Sequence, residues 1–539
     1  MLKAIKYFQN NSDNNSQSII RNYIVWFFFS IVMLIVLLVR IRLLNTPLER
    51  DEGEYAYMGQ LMLQGIPPFE IAYNMKLPGT HFMYAFFMSI FGQTAIGIHI
   101  GLLVINLCSI LFIFLLARKI ISNNAGLIAA ATYAILSLSN SVFGFAAHAT
   151  HFLIFPAIAG IFILYKTINS DKKIWYFLSG LLLGIVPIMK QQGVFFCVFG
   201  ALFLIISFFI YKKIKIKTFS LRFLLFALGG LIPFTLILII LKLSGVFNKF
   251  WFWTFQYAIE YEQQVGINDA FSLFKRMSTV VIKDFYLIWI FAALGIIALF
   301  FHPKLKKSPS IFFILLFTIF SFLSVCPGFY FRSHYFIVFL PAIAILFSVF
   351  IDFIIHINWR FKLIKYLSYS LLIIPILLGL ISQKDYLFKL NPKAIIKNTY
   401  GYSNPFIEAV KIAEYVKLNS TKKDKIAIIG SEPQIFFYSD RISATGYIFT
   451  FSLKENQNNK YKMQKEMIHE IESSHPKLII YFHDSIYYIS KWINPYLQKY
   501  HYQITGVVDI YKDQTIYKWN NEALNYIPRS ETYAIIYKR

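Results

Sequence analysis

Apolar runs of 17 to 25 residues recur along the first 380 or so positions of this chain, separated by short polar breaks, and the last 150 or so residues lose that pattern. A hydrocarbon core about 30 Å thick takes roughly 20 residues of helix to cross, so runs of this length predict transmembrane helices. Eleven spans are expected, at residues 22–44, 94–117, 124–141, 146–168, 173–189, 194–211, 219–243, 281–301, 310–326, 334–356 and 363–381. The segments between them alternate in charge. Arg118 and Lys119, then Lys166, Lys172 and Lys173, then Lys212, Lys213, Lys215 and Lys217, then Lys304, Lys306 and Lys307, then Arg360, Lys362 and Lys365 fall in every second loop, and the positive-inside rule assigns those loops to the cytoplasm. An odd number of spans with a cytoplasmic N-terminus puts everything after residue 381 outside. Arg40 and Arg42, at the outer end of the first span, count against this orientation.

Beyond residue 381 the pattern shortens. KIAIIG (425–430), IFFYSD (435–440), KLIIYF (477–482) and ITGVVDIY (504–511) read as strands, with helices expected near 405–418, 460–473 and 487–499 among them, which predicts a small α/β domain. The expected fold class is therefore an α-helical polytopic membrane protein over residues 1–381 with an external α/β domain over residues 382–539, the latter serving in packing or acceptor docking. Two outer loops are long. In the first, HFMYAFFMSIF (81–91) is too short to span comfortably and is expected to lie in the interface or lead into the next helix. In the second, FWFWTFQYAIEYEQQ suits either an ordinary aromatic belt or a lid over a lipid-binding cavity.

Composition agrees with this layout, since 57% of the 539 residues are hydrophobic and only 15% charged. A net charge of +25 would fit a nucleic-acid binder, but the cations lie in clusters between apolar runs and not on one basic face, so no nucleic-acid partner is expected. Cys108, Cys197 and Cys326 each sit inside an apolar run, as packing residues do, and not in a disulfide or metal pattern. The first 20 residues are polar and no small-residue cleavage site follows the next apolar run, so that run reads as a retained span.

The chemistry concentrates in a few polar breaks. Asp51-Glu52-Gly53-Glu54-Tyr55 packs three carboxylates into four residues just past the first span, and Asn74-Met75-Lys76-Leu77-Pro78-Gly79 adds a cation on a turn of the same loop. Lys190-Gln191-Gln192-Gly193 interrupts one apolar stretch, Arg332-Ser333-His334-Tyr335 follows Pro327-Gly328, and His148 and His151 open the fourth span. Ionisable groups at span ends are costly and call for individual explanation. Snorkelling accounts for a lone lysine or arginine, and satisfied helix-end residues for the histidines. Span parity nevertheless brings Asp51, Lys76, Lys190 and Arg332 to one side of the membrane. That set suits sugar transfer from a polyprenyl phosphate. Cations stabilise the departing phosphate and a carboxylate takes the proton of the attacking hydroxyl.

DEGEYAYMGQLMLQGIPPFE, NMKLPG, MKQQG and PGFYFRSHYF, in that order, resemble the GT-C class of membrane glycosyltransferases, specifically bacterial relatives of protein O-mannosyltransferases and of the lipid A aminoarabinose transferase. The resemblance covers roughly residues 20–381. It implies Asp51, with Glu52 beside it, as the catalytic acid pair. It also implies Lys76, Pro78, Lys190, Gln191 and Gly193 near the donor, to which the position of Arg332 and His334 adds those two, with Tyr55 and His151 as secondary candidates. The chain departs from the family at Asn74, where relatives carry an acid, and at HATHF, where many carry another. The implied activity is transfer from a polyprenyl phosphate-linked sugar to a lipid, glycan or protein acceptor at the outer face of the plasma membrane, among membrane lipids. No cofactor is required, while the three carboxylates leave a divalent metal open. A transporter or flippase of lipid-linked sugars is the competing reading, and the absence of a convincing internal repeat argues against it.

Overall fold

A computed structural model describes residues 2–167, 170, 172–211, 215–306, 308–357, 367–483 and 487–539, with side chains from residue 23 onward except 211, 487 and 488. Lys212, Lys213, Lys307, Arg360, Lys362, Lys365 and the opening residues 363–366 of the last expected span lie outside the described residues.

Among the described residues each of the eleven apolar runs forms a helix over most of its length. Six of these helices are long and apolar enough to cross a membrane, Tyr23–Leu43, Ala95–Ile120, Ala149–Thr167, Gln191–Ile210, Ile216–Leu243 and Ile267–Phe301. Five shorter apolar helices complete the set, at Asn123–Leu138, Ile174–Met189, Ser310–Leu323, Leu340–His356 and Ser370–Ser382. Leu38, Leu231, Ile297 and Phe301 are more than half exposed, as side chains that face lipid tails should be. The first nine helices are α1 (Leu2–Leu43), α2 (Arg50–Leu63), α3 (Gly79–Phe91), α4 (Ala95–Ile120), α5 (Asn123–Leu138), α6 (Ala149–Thr167), α7 (Ile174–Met189), α8 (Val194–Tyr211) and α9 (Ile216–Leu243).

Arg40 and Arg42 turn out to be held inside the protein by their Nη groups. Arg40 donates to the carbonyls of Gly144 (3.2 Å) and Ser137 (3.4 Å), and Arg42 to those of Leu390 and Tyr386. Both therefore tie the first span to later segments, and neither needs cytoplasmic water at its head.

Helices α7 and α9 meet along a seam of glycines. A Cβ on Gly180 would lie 2.0 Å from the Phe226 carbonyl oxygen, one on Gly184 2.2 Å from that of Gly230, and one on Gly229 2.2 Å from that of Phe177. Close backbone approach through small residues is how helices associate where lipid removes the hydrophobic incentive. Gly184→Val is expected to cost about 1–3 kcal/mol of stability, read as a lowered melting temperature in detergent; an unchanged melting temperature would show that the seam tolerates separation.

The C-terminal part is a six-stranded sheet of order β2-β1-β3-β6-β4-β5, from β1 (Lys425–Ile429), β2 (Ile442–Ser443), β3 (Leu478–Phe482), β4 (Gln503–Ile510), β5 (Thr515–Trp519) and β6 (Thr532–Lys538). β1 pairs parallel with β2 and β3, and the remaining pairs are antiparallel. The continuous apolar runs of β1 and β3 reflect burial on both faces. Ile426, Ile428, Leu478 and Ile480 join the core that includes the membrane helices, whereas Ala427, Ile429 and Ile479 join a second core with Tyr73, Phe250 and Trp253.

IFFYSD is not a strand. Gln434–Ser439 is a short helix entered from Pro433 and ended by Asp440 in the left-handed region; a short run buried on every side has no periodicity to separate the two conformations. β5 and β6 escape the strand reading because TIYKW and TYAIIYK carry lysine and tyrosine at half-buried positions. The stretch 81–91 is part of the helix α3, whose Thr80, His81 and Tyr84 are buried against protein.

Candidate active site

Helix α2 begins where its first carboxylates can cap it. The Glu49 side chain accepts from the Glu52 amide at 2.9 Å, and Glu52 Oε2 accepts from the Glu49 amide at 3.3 Å, a reciprocal capping box. Asp51 and Glu52 in the first turn also meet the positive end of the helix. The three acids of the motif then part company. Asp51, on the exposed side, takes Lys76 Nζ at 3.0 Å. Glu54, wholly buried, takes the other side of the same ammonium at 2.6 Å and lies 2.8 Å from His81 Nε2. Glu52 faces inward, 3.0 Å from His99 Nε2 and accepting from the Ala147 amide at 2.6 Å.

The loop that carries Lys76 is docked on the end of α7. Asn74 Oδ1 accepts from the Lys76 amide at 2.9 Å, forming the turn before Pro78, and Pro78 sits at the entry to α3. Thr80 Oγ1 donates to the Met189 carbonyl at 2.8 Å, and Gln191 Nε2 to that of Met75 at 2.7 Å. A Cβ on Gly79 would lie 2.5 Å from the Ile188 carbonyl oxygen, so glycine is required for this approach. Through these contacts the two lysine motifs, far apart in the chain, become neighbours. Lys76 Nζ lies 4.4 Å from the centroid of Tyr55, and Lys190 Nζ lies 3.8 Å from that of Tyr335.

Arg332 donates to the Tyr261 hydroxyl at 2.7 Å and covers the Tyr330 ring. It follows a strained loop in which Phe329 (φ 54°) and Phe331 (φ 46°) are left-handed, a conformation bulky residues hold only when their surroundings impose it. His334 stacks on His148 with ring centroids 4.1 Å apart and planes 10° apart. His148 Nδ1 is 4.0 Å from Asp51 Oδ2 and 3.8 Å from Glu49 Oε1. Asp51, His148 and His334 each offer a ligand atom, all within 4.8 Å of one another, and form such a group among the described residues; a divalent cation could be held there. His151, one turn further along, is buried near Arg40 and His148, and no direct contact joins it to Asp51 among the described residues.

Burial alone would push the Asp51 carboxyl up, but Lys76, His148 and Arg332 together hold it below the usual carboxylate range. Glu49 goes the other way, raised by burial and by the Asp51 and Glu52 carboxyls. Burial pushes His148 down to about 4 against the pull of Asp51 and Glu52. Lys190 is lowered first by burial and then by Lys76 and Arg332.

Asp51, Lys76, Lys190, Gln191, Arg332, His334, Tyr55 and Pro78 thus belong to one neighbourhood. Sequence reasoning underrated His148, Glu54, His81 and Tyr335. His148 stands in the same HATHF segment as His151, just before α6 begins at Ala149, and the segment alone gives no sign of which of the two faces the site.

Residues 76–240 match the family model described as dolichyl-phosphate-mannose-protein mannosyltransferase. In solved structures the fold is shared with ArnT from Cupriavidus metallidurans bound to undecaprenyl phosphate, at 12% identity and a TM-score of 0.61 over 95% of this chain and 98% of that one. It is shared also with the apo oligosaccharyltransferase of Archaeoglobus fulgidus, at 12% identity and a TM-score of 0.53 over 94% of this chain and 76% of that one. Comparison with curated proteins gives no match.

Proposed function

We propose, from the GT-C glycosyltransferase fold that this chain shares with those enzymes, that it moves a sugar from a polyprenyl phosphate carrier to an acceptor hydroxyl at the outer face of the plasma membrane. The observation that carries this reading is the meeting of Asp51 with Lys76 at 3.0 Å, with Lys190 and Arg332 near enough to act on the same carboxyl. An anionic group between three cations and one carboxylate is what the reaction needs. The acceptor oxygen attacks the anomeric carbon, Asp51 takes its proton, and the carbon–oxygen bond to phosphate breaks with its electron pair going to the phosphate. Lys76, Lys190 and Arg332 stabilise the charge that grows there. Because phosphate leaves readily, no general acid is needed, and a single displacement inverts the anomeric centre. Glu52, bound to His99 and the Ala147 amide, fixes the start of α2, Pro78 and Gln191 fix the two lysine turns, and His334 stacks behind His148. The acceptor is a lipid, glycan or protein.

The full chain reconstituted in liposomes with a labelled polyprenyl phosphate-linked sugar is expected to give glycosidic product. Labelled lipid that crosses the bilayer without product would replace this reading with transport.

Lys190 gives the reading a pH signature. In the ligand-free protein its ammonium is disfavoured by burial and by neighbouring cations; a phosphate beside it favours the charged form, so binding takes up a proton. Affinity for undecaprenyl phosphate is therefore expected to rise as pH falls from the range where phosphate-bound Lys190 titrates and to level off below the lower range where free Lys190 does. Lys190→Met should flatten that slope, and a slope unchanged in the variant would remove Lys190 from the phosphate.

A further inference from the structure

The C-terminal sheet domain reaches α2 through Arg50, the residue immediately before Asp51. Arg50 Nε donates to the Ser431 carbonyl at 2.5 Å, and Nη2 pairs with Glu432 Oε1 at 2.5 Å. Its guanidinium also lies between the rings of Phe406 (5.2 Å) and Phe451 (5.0 Å). Glu432 is buried and its second oxygen takes Gln434 Nε2 at 2.6 Å. Three separate segments of the domain therefore hold one side chain of α2.

Gly53 sets how close the two parts come. A Cβ there would lie 2.7 Å from the Gln434 nitrogen and 2.8 Å from its Cα, backbone atoms that cannot swing aside. Further along, the Leu48 amide donates to the Tyr438 hydroxyl and the Ser443 amide to the Tyr57 hydroxyl, both at 2.8 Å, while Tyr57 stacks on Phe436 at 5.0 Å. Successive residues of a helix point about 100° apart. Arg50 points to the sheet domain and Asp51 to Lys76, so a helix whose Arg50 is gripped has its rotation fixed, and with it the direction of Asp51.

We propose that the C-terminal sheet domain is a working part of the active site, in which Arg50 and Gly53, held by Glu432 and Gln434, are positioning residues that set the aim of Asp51. This rests on the transfer reading above. Displacing a reacting group by about 1 Å can cost 10²-fold in rate. The phosphate cations lie outside α2, and although Lys76 pairs with Asp51 and Glu54, its turn is anchored to the end of α7 through Gln191 and Thr80, so carrier binding depends less on the same grip than the aim of Asp51 does.

The test uses the full chain in liposomes, with kcat for transfer and the Kd for undecaprenyl phosphate measured side by side. Gly53→Ala and Arg50→Ala are each expected to lower kcat about 10- to 100-fold with Kd changed less than about threefold. Arg50→Lys, which keeps the charge but not the planar fork, should recover part of the loss. Glu432→Gln, which keeps the shape, serves if either alanine variant fails to fold as judged by gel filtration. A general structural fault would move Kd and thermal stability together with kcat, so parallel losses overturn the proposal, as does a folded Arg50→Ala or Gly53→Ala variant with wild-type kcat. A wild-type chain that forms no glycosidic product ends the transfer reading itself; an active wild type with indifferent variants ends only the role of the sheet domain.

Discussion

Asp51→Asn is expected to lower sugar transfer by about 10³-fold, the middle of the range for removing a positioned base, with affinity for the carrier lipid nearly unchanged. Asparagine keeps the shape of the side chain and an oxygen for Lys76 Nζ, now at 3.0 Å, so the loop has no reason to move. What disappears is the negative charge that makes the carboxylate basic enough to take the acceptor's proton. In the free protein that carboxylate is a weak base, because Lys76, His148 and Arg332 outweigh its burial and hold it below the usual range. A phosphate beside Lys76 and Arg332 diverts their charge, which raises the basicity of Asp51 when the donor is in place. The measurement is single-turnover transfer with saturating polyprenyl phosphate sugar, alongside binding of undecaprenyl phosphate. Transfer within tenfold of wild type would take Asp51 out of the chemistry.

Lys76→Ala should be the most damaging change elsewhere in the site, and for two separable reasons. Lys76 is the cation expected on the phosphate, so carrier affinity should fall at least tenfold. It is also the partner of Glu54, which has no solvent exposure and, among the described residues, would keep the His81 ring at 2.8 Å as its remaining side-chain partner. Stranding a buried carboxylate in this way costs about 3–5 kcal/mol, read as a drop in melting temperature. Pairing the change with Glu54→Gln removes the stranded charge and should restore much of the stability without restoring carrier binding. A double variant that recovers binding would show that Lys76 serves the fold and not the phosphate.

The membrane part of the fold was legible to a degree that the sheet domain was not. Each span is a local decision, because a backbone in hydrocarbon must satisfy its hydrogen bonds within its own helix, and the length of an apolar run suffices to place α5 or α7 as well as α4. IFFYSD failed as a strand because Gln434–Ser439 is buried between α2 and the helix Phe406–Leu418, leaving no polar face to betray its period. Within the site, the sequence marked Asp51, Lys76, Lys190 and Arg332 because charge beside apolar runs is conspicuous. It noted His148 with His151 but read both as helix-end residues, because the stacking of His148 on His334 depends on two segments far apart in the chain.

The amino-acid sequence alone thus determined which runs are apolar enough to cross a membrane and which polar breaks gather charge beside them, since both follow from the cost of placing charge and bare backbone near hydrocarbon. Only the tertiary structure decided which partners each acid of DEGEY takes. The direction of a side chain is set by what packs around its helix: His99 and the Ala147 amide claim Glu52, His81 and Lys76 claim Glu54, and Asp51 alone is left on the open side with a cation in front of it.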